Sequence, residues 1–498
     1  MTAAGLGGAA LDSALAQVRA RYETVIGIEV HAQLATRTKL FCGCATSFGE
    51  PANTRTCPVC LGLPGVLPVL NRQALELCLL AAMALGCTVP ERTQFDRKNY
   101  YYPDLPKNYQ ISQNYVPLGR GGVLELLQSG KSIGIDNVHL EEDAGKLLHE
   151  EGGGERSLID LNRAGVPLAE IVSAPELRSL AEVEDYMETL RLTLLYLGVS
   201  RCRMQEGNLR FEASISLRPH GASGFGPRVE IKNLNSFKAV LGALAHEVER
   251  QAAALERGEP LAQETRLWDE ARGVTERMRT KEQAHDYRYF PEPDLPPLAI
   301  DAALRERVRA RLVELPAARR RRFMEQLGLS AYDAGVLLSE PALASYFEEL
   351  AQAVGEAKAA ANWLINDVLG VLNARKLEFA AWSVPAPRLA ELIALTARGE
   401  VSGLVARQQL LPRMLETGET APALIQRLGL AQQSDREALL PVVERVLAEH
   451  PRPVEQYLGG KTQTLGFLIG QCMKSSQGRG NPKVFAELLR EELERRRG

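Results

Sequence analysis

The sequence predicts an α+β protein: a β-rich cradle domain carrying a zinc knuckle, then an all-helical domain and a small helical tail domain. Three observations predict it. Residues 22–293 alternate period-two apolar runs with glycine and proline turns. From 294 onward apolar residues recur almost wholly at helical spacing. Between the two lies Pro291-Glu292-Pro293-Asp294-Leu295-Pro296-Pro297, a stiff linker, because proline fixes φ and lacks a backbone donor. The expected division is 1–21, a flexible extension with a helix over 13–21; 22–293, the cradle; 294–402, helical; and 403–498, the tail beyond Gly399 and Gly403.

Composition narrows the function classes. The 498 residues are 45% hydrophobic and 24% charged, which suits a globular chain of several domains with a large core. The net charge of −3 provides no global basic field, so any nucleic-acid contact must rest on local patches. No apolar run approaches the roughly 18 residues of a membrane span. The Ala/Gly-rich start lacks the basic head and apolar block of a signal peptide, and Cys78, Cys87, Cys202 and Cys472 are scattered singly, so a reducing cytoplasm is expected.

The first strand, Glu23 to His31, sets Thr24, Ile26, Ile28 and Val30 on one face and Glu29 and His31 on the other. Two residues apart on a strand, these side chains stand roughly 7 Å apart and point the same way, so other carboxylates could complete a hard-cation site with them. Next come Cys42, Cys44, Cys57 and Cys60, two close pairs around a loop with Gly49, Pro51 and Asn53. The spacing suits tetrahedral zinc, and it is also open to two disulfides or four separate thiols. Residues 71–85 read as a helix closed by Gly86.

Residues 95–110 interleave Tyr100, Tyr102 and Tyr109 with Arg97, Lys98 and Lys107, while prolines exclude helix. Such a segment can stack on an unpaired nucleotide and hold its phosphates, or pack as a tyrosine-rich loop on the core. Glu141-Glu142-Asp143 follow a strand from Ile133 and read either as a solvated charge run or as site residues. Glu170 stands alone among apolar residues, which is costly unless it is paired or metal-bound. Ser179 and Glu182 form a capping box ahead of a helix that runs to Gly198. Residues 208–218 and 228–232 alternate as a hairpin whose polar face carries Arg210, Glu212, Glu230 and Lys232, suited to a nucleotide–magnesium site or to plain solvation. In the helical part, Gly459 to Lys483 spaces lysines and arginines with glycines, which fits RNA contact or ordinary helix ends, and Asn481 caps a last helix. No phosphate loop, nucleophile elbow or dinucleotide fingerprint occurs.

Taken together, Glu23 to Gln33, Cys57 to Leu70, Phe95 to Gln113, His139 to Lys146, Asp160 to Ser173, Glu206 to Arg218, Glu230 to Phe237, His285 to Pro297 and Gly459 to Leu493 resemble the B subunit of the tRNA-dependent amidotransferase that makes Gln-tRNA(Gln) or Asn-tRNA(Asn). The resemblance covers essentially everything after Tyr22. The archaeal relative carries a synthetase-like insertion for which this chain has no room, so the resemblance is to the bacterial type.

The resemblance implies a cradle for ATP, Mg2+ and the aminoacylated tRNA end, and a tail that docks on the tRNA body. It implies phosphorylation of the side-chain carboxylate of misacylated Glu-tRNA(Gln) or Asp-tRNA(Asn), then amidation by ammonia channelled from a partner amidase (glutaminase) chain, with a small third chain bracing the pair. In-line phosphoryl transfer needs metal and cations rather than a nucleophilic side chain, which agrees with the missing motifs. Carried over residue by residue, Glu29, His31, Glu141 and Glu170 become the magnesium set, and Glu212 and Glu230 the nucleotide–magnesium side. Lys98, Lys107 and Glu142 become channel or gate groups, and the cysteine quartet a structural zinc site. Two departures stand out: Gln205-Glu206-Gly207 replaces Glu-Glu-Gly, and Glu212 replaces Asp. A non-catalytic tRNA-binding scaffold is the rival from another class. A stand-alone ligase is disfavoured by the missing glutaminase motif.

Overall fold

The computed structural model describes residues 7–149, 157–280, 286–433 and 435–496. His285, at the start of one resembling stretch, lies outside them, as do the first six residues of the expected extension. The chain divides into two compact units, residues 1–319 and 320–498.

The first unit is built on an eight-stranded sheet. Its strands are β1 (Tyr22–Gln33), β2 (Gly119–Glu125), β3 (Ser132–Glu142), β4 (Pro167–Ser173), β5 (Leu209–Pro219), β6 (Val229–Leu234), β7 (Glu264–Asp269) and β8 (Val274–Thr280). The spatial order is β8-β7-β6-β5-β1-β4-β3-β2, antiparallel except between β6 and β7. The long first strand is thus central. Alternation along β1 buries Ile26, Ile28, Val30 and Ala32 in the core. That core is shared with the helices Arg72–Ala84, Leu180–Tyr196 and Phe237–Glu256. Asn71, Ser179 and Ser236 cap these helices, Ser179 as its spacing to Glu182 predicts. The opposite face of the sheet is left to Glu29, His31 and their neighbours. A small sheet of Phe290–Pro291, Asp96–Asn99 and Tyr109–Ser112 packs on β3.

Two expectations are corrected. Residues 8–19 are not a loose extension: Gly8–Ala14 and Ala16–Arg19 are helical, and Leu11 and Leu15 are buried in the main core. Asp12 accepts hydrogen bonds from the Leu180 and Ala181 N–H groups at 3.0 and 2.9 Å, so it supplies a second cap to the Leu180–Tyr196 helix. Nor does the first unit end at the proline linker. Leu298–Ala299 pairs with Arg92–Thr93, and Ile300, Leu304 and Val308 complete the same core, which places the division near 319.

The second unit is helical throughout its described residues apart from turns. Its contacts continue across the glycines at 399–403: the Arg407 guanidinium lies 4.9 Å from the Trp363 ring centroid and pairs with Asp367 at 3.0 Å. A separate apolar core, Leu439 to Leu493, belongs to the last four helices, the final one capped by Asn481 with Pro482 in its first turn. Among the described residues no helix is long and apolar enough to cross a membrane.

Candidate functional site

Cross-strand register assembles the site. His139 on β3 lies opposite Glu170 on β4, Glu170 opposite His31 on β1, and His31 opposite Arg210 on β5. One row of the polar face therefore reads His139–Glu170–His31–Arg210, with Glu29 and Glu212 paired in the neighbouring row. His31 Nε2 stands 3.3 Å from Glu170, 3.6 Å from Glu29 and 3.6 Å from Glu141. His139 Nε2 stands 3.2 Å from Glu170 and 3.7 Å from Glu141. Two possible ligand groups, Glu29–His31–Glu170 and His139–Glu141–Glu170, thus share Glu170. The expected metal set comes together. His139 was missed, although the alternation of β3 puts it on the same face as Glu141.

The electrostatics follow from packing charges away from water. Burial works against both imidazolium ions, but Glu170, with Glu141, pushes His31 up to about 9 and His139 up to about 10. Glu170, despite burial, is held well below the usual carboxylate range by His139 and His31. Burial and the Glu170 charge push Glu29 up to about 7, although 37% of its side chain is open to the cleft. A divalent cation would relieve this concentration of carboxylates and take the place of the protons on the imidazoles.

The acidic run is buried, not solvated, and its three members face three different partners. Glu141 joins the histidines and accepts a hydrogen bond from Ser112 Oγ at 3.1 Å. Glu142 pairs with Lys107 and accepts from the Ile111 N–H at 2.9 Å. Asp143 pairs with Arg210 at 2.9 Å and Arg163 at 3.5 Å. Lys98 and Lys107, grouped by sequence, separate. Burial opposes the Lys98 charge, yet Glu141 and Glu170 keep its ammonium firmly protonated, 5.1 Å from the Tyr287 ring. Lys107 instead lines a cavity of about 100 Å³ with Lys39, Cys60 and Glu142. Arg97 is occupied by Glu292, at 2.7 and 2.8 Å, and lies 4.2 Å from the Tyr109 ring, a tie between the small sheet and the linker. Tyr100 is within 3.3 Å of Gln110, and Tyr102 is 51% exposed. On the polar face of the hairpin, Lys232 bridges Glu212 and Glu230.

The four cysteine sulfurs lie within 4.8 Å of one another and form no disulfide. The Cys57–Cys60 separation of 3.9 Å is close to the ~3.8 Å edge of a tetrahedron with metal–sulfur bonds of about 2.3 Å. The Cys57 N–H donates to Cys60 Sγ at 3.2 Å. The hydrogen bond from Cys42 pulls the Cys60 thiol down to about 4 against its burial, with help from the Cys57 N–H and the Lys39 charge. This donor set could hold one metal ion. The loop that follows packs on Lys107: a Cβ at Gly62, where φ is +66°, would stand 2.4 Å from Lys107 Cγ.

Two clefts flank the histidine cluster. One of about 390 Å³ is lined by Gly27, Glu29, Glu212, Ser214, Arg228 and Glu230. The other, about 590 Å³, reaches from Gln33 and Arg210 to Lys146 and Arg201.

Comparison with known proteins agrees with this geometry. A family model described as the GatB/GatE catalytic domain matches residues 24–306, and one described as the GatB domain matches residues 345–493. The chain is 55% identical, over 95% of its length and 100% of the relative, to the B subunit of the aspartyl/glutamyl-tRNA(Asn/Gln) amidotransferase of Moorella thermoacetica. It is 50% identical to the B subunit of Carboxydothermus hydrogenoformans over 95% and 99% of the two chains, and 48% identical to that of Synechococcus sp. (strain JA-3-3Ab) over 96% and 99%. The matched domain is described as catalytic, which supports the enzyme and not the scaffold. The chain belongs to the family of B subunits of the tRNA-dependent amidotransferase.

Proposed function

We propose that this chain is the activating component of a C–N-forming ligase that uses glutamine as amide donor. In this reading it binds ATP and misacylated Glu-tRNA(Gln) or Asp-tRNA(Asn). The substrate's side-chain carboxylate oxygen attacks the γ-phosphorus, ADP leaves, and an acyl phosphate forms. Ammonia then attacks the acyl carbon and phosphate departs, giving the amide. A carboxylate is a poor acyl donor, so the first step is what makes the second possible.

The observation that carries the reading is the register row that brings Glu170 against both His31 and His139 beside Glu29, between two clefts. Glu29, His31, Glu141 and Glu170 would hold Mg2+, and Glu212 and Glu230 would face the nucleotide's magnesium. Bound there, the cation would neutralise charge on the phosphoryl oxygens. The buried Lys98 ammonium points its charge at the same carboxylates and would stabilise the transferring group. The Lys107–Glu142 pair would gate ammonia arriving from the partner amidase (glutaminase) chain, with the small third chain completing the assembly. The thiolate site would hold structural zinc, dispensable to the chemistry. The terminal helices would dock on the tRNA body, and the enzyme would work in the cytoplasm.

The test is ATP hydrolysis by the assembled complex with Glu-tRNA(Gln) and Asp-tRNA(Asn). Glu29→Gln and His31→Ala should each abolish tRNA-dependent hydrolysis. Normal turnover in both variants would remove the cluster from the mechanism.

A further inference from the structure

Lys39 has no part in the reaction proposed above, yet its side chain is fully buried, at 0% exposure. Its ammonium reaches Cys60 Sγ at 3.6 Å and the Leu161 carbonyl at 3.3 Å. Among the described residues it forms no ion pair with a carboxylate. A lysine charge taken wholly out of water is costly unless an opposite charge meets it. Here that charge has to come from the thiolates. A divalent ion held by four thiolates keeps a net charge of about −2, and a cationic donor on a ligating sulfur offsets part of it. Lys39 and a loaded metal centre therefore stabilise each other.

The same lysine ties the metal loop to the ion pair of Lys107 and Glu142. Leu161, whose carbonyl it holds, opens a turn that ends at Gly165. Gly165 accepts a hydrogen bond from the Leu40 N–H and donates one to the Asp143 carbonyl, both at 2.8 Å. The turn is thus stitched to the residue after Lys39 on one side and to the residue after Glu142 on the other. A Cβ at Gly165, where φ is +86°, would stand 3.5 Å from Cys60 Cβ, 3.6 Å from Lys39 Cδ and 3.8 Å from Glu142 Oε2. On the opposite side the chain after Cys57 closes into a turn, with Leu61 N–H on the Cys57 carbonyl and Gly62 N–H on the Val59 carbonyl, both at 3.0 Å. That turn lays Gly62 against the Lys107 stem. The ion pair is clamped between them, Glu142 through Gly165 and Lys107 through Gly62, with Cys60 in the middle. Lys39, Cys60, Gly62, Lys107, Glu142 and Gly165 all line the cavity of about 100 Å³.

Resting on the reading of Lys107 and Glu142 as a gate, we propose that Lys39 is a positioning residue that couples the four-thiolate metal centre to that pair. A loaded centre anchors Lys39, Lys39 anchors the Leu161–Gly165 turn, and the two turns hold the gate in register. An emptied centre leaves the Lys39 charge without its partner, loosens both turns and releases the gate. The metal centre then serves the use of glutamine-derived ammonia and leaves phosphoryl transfer alone, since none of these residues faces the histidine cluster.

The test uses the assembled complex in millimolar Mg2+. Lys39→Met keeps most of the stem and removes the charge. It should lose zinc to a zinc-selective chelator at least tenfold faster than the wild type, the scale expected for removing a partner of a metal ligand. Hydrogen exchange over residues 161–165 should accelerate while that of β1 stays as it was. Glutamine-dependent amidation should fall at least fivefold, with ammonium-dependent amidation and tRNA-dependent ATP hydrolysis within twofold of the wild type. The wild-type complex stripped by the same chelator should show the same split between nitrogen sources, and it decides the matter if Lys39→Met does not assemble. Zinc loss at the wild-type rate in Lys39→Met would overturn the coupling. So would stripped wild type that loses activity equally with both nitrogen sources, or with neither. If Lys107→Met shows the split and the stripped complex does not, the coupling alone fails; if Lys107→Met shows none either, the gate reading fails with it.

Discussion

Stripping divalent cations and raising the pH should loosen the carboxylate–histidine cluster. His31 and His139 are pushed up to about 9 and about 10: burial opposes their charge, and Glu170 and Glu141 more than offset it. For His31 the difference from its ordinary 6.5 corresponds to on the order of 3 kcal/mol. Because the folded value lies above the unfolded one, this contribution is fully present below pH 6.5 and is lost as the pH rises through about 9. Glu170 has the opposite sign: held below its ordinary 4.5, its contribution is present above that value and is lost as the pH falls. As far as His31, His139 and Glu170 are concerned, chelated protein should therefore be most stable between roughly pH 5 and 6.5 and lose roughly 5 °C of melting temperature by pH 9.5, while Glu29, raised to about 7, adds a further loss as the pH rises from its ordinary 4.5 through 7 and so favours the acid end of that window. A bound cation takes the place of the protons, so the alkaline loss should disappear in millimolar Mg2+ or Mn2+. Thermal melts at pH 6, 7.5 and 9.5, with chelator and with cation, measure this. Glu170→Gln removes the charge common to both histidines and should flatten the chelated profile while lowering stability at pH 6. Identical profiles with and without cation, together with an unaltered slope in Glu170→Gln, would refute the argument.

Cys57→Ser should reduce metal content from one zinc per chain to none and lower the melting temperature by several degrees, since Cys42, Cys44 and Cys60 alone leave a tetrahedral ion open; native mass spectrometry showing four free thiols in the wild type would end the zinc assignment. Lys107→Met breaks the ion pair with Glu142 and should impair glutamine-dependent amidation while ammonium still supports the reaction; equal losses with both nitrogen sources would place Lys107 in phosphoryl transfer or substrate binding. Ending the chain after Gly403 removes the Leu439–Leu493 core and should weaken tRNA binding at least tenfold with little change in ATP binding; intact tRNA affinity would show that the terminal helices are not a docking element.

Much of the fold was legible in local pattern. The alternation of β1 placed Glu29 and His31 on the face away from Ile26 and Ile28, and the structure has them there. Ser179 and Asn481 marked helix starts because a side-chain acceptor at that position satisfies backbone donors the helix cannot. The helix expected over residues 13–21 was less accurate, since Ala/Gly composition says nothing of the groove that Leu11 and Leu15 fill or of the N-terminus that Asp12 caps. The unit boundary was misplaced for a related reason. Prolines at 291–297 stiffen the chain locally, but Ile300, Leu304 and Val308 return to the same core, and only packing reveals a return.

By itself the sequence determined which face of each strand is polar, which cysteines are spaced as a candidate zinc quartet, and, through its resemblance, the family. It could not determine which strands are neighbours. A period of two tells that His139 and Glu141 share a face, but Glu170 meets His139 and His31 only because β4 lies between β3 and β1 in the sheet. The same holds for the consecutive acids: Glu141, Glu142 and Asp143 look alike in sequence and part toward the histidines, Lys107 and Arg210 because each meets a different neighbouring element.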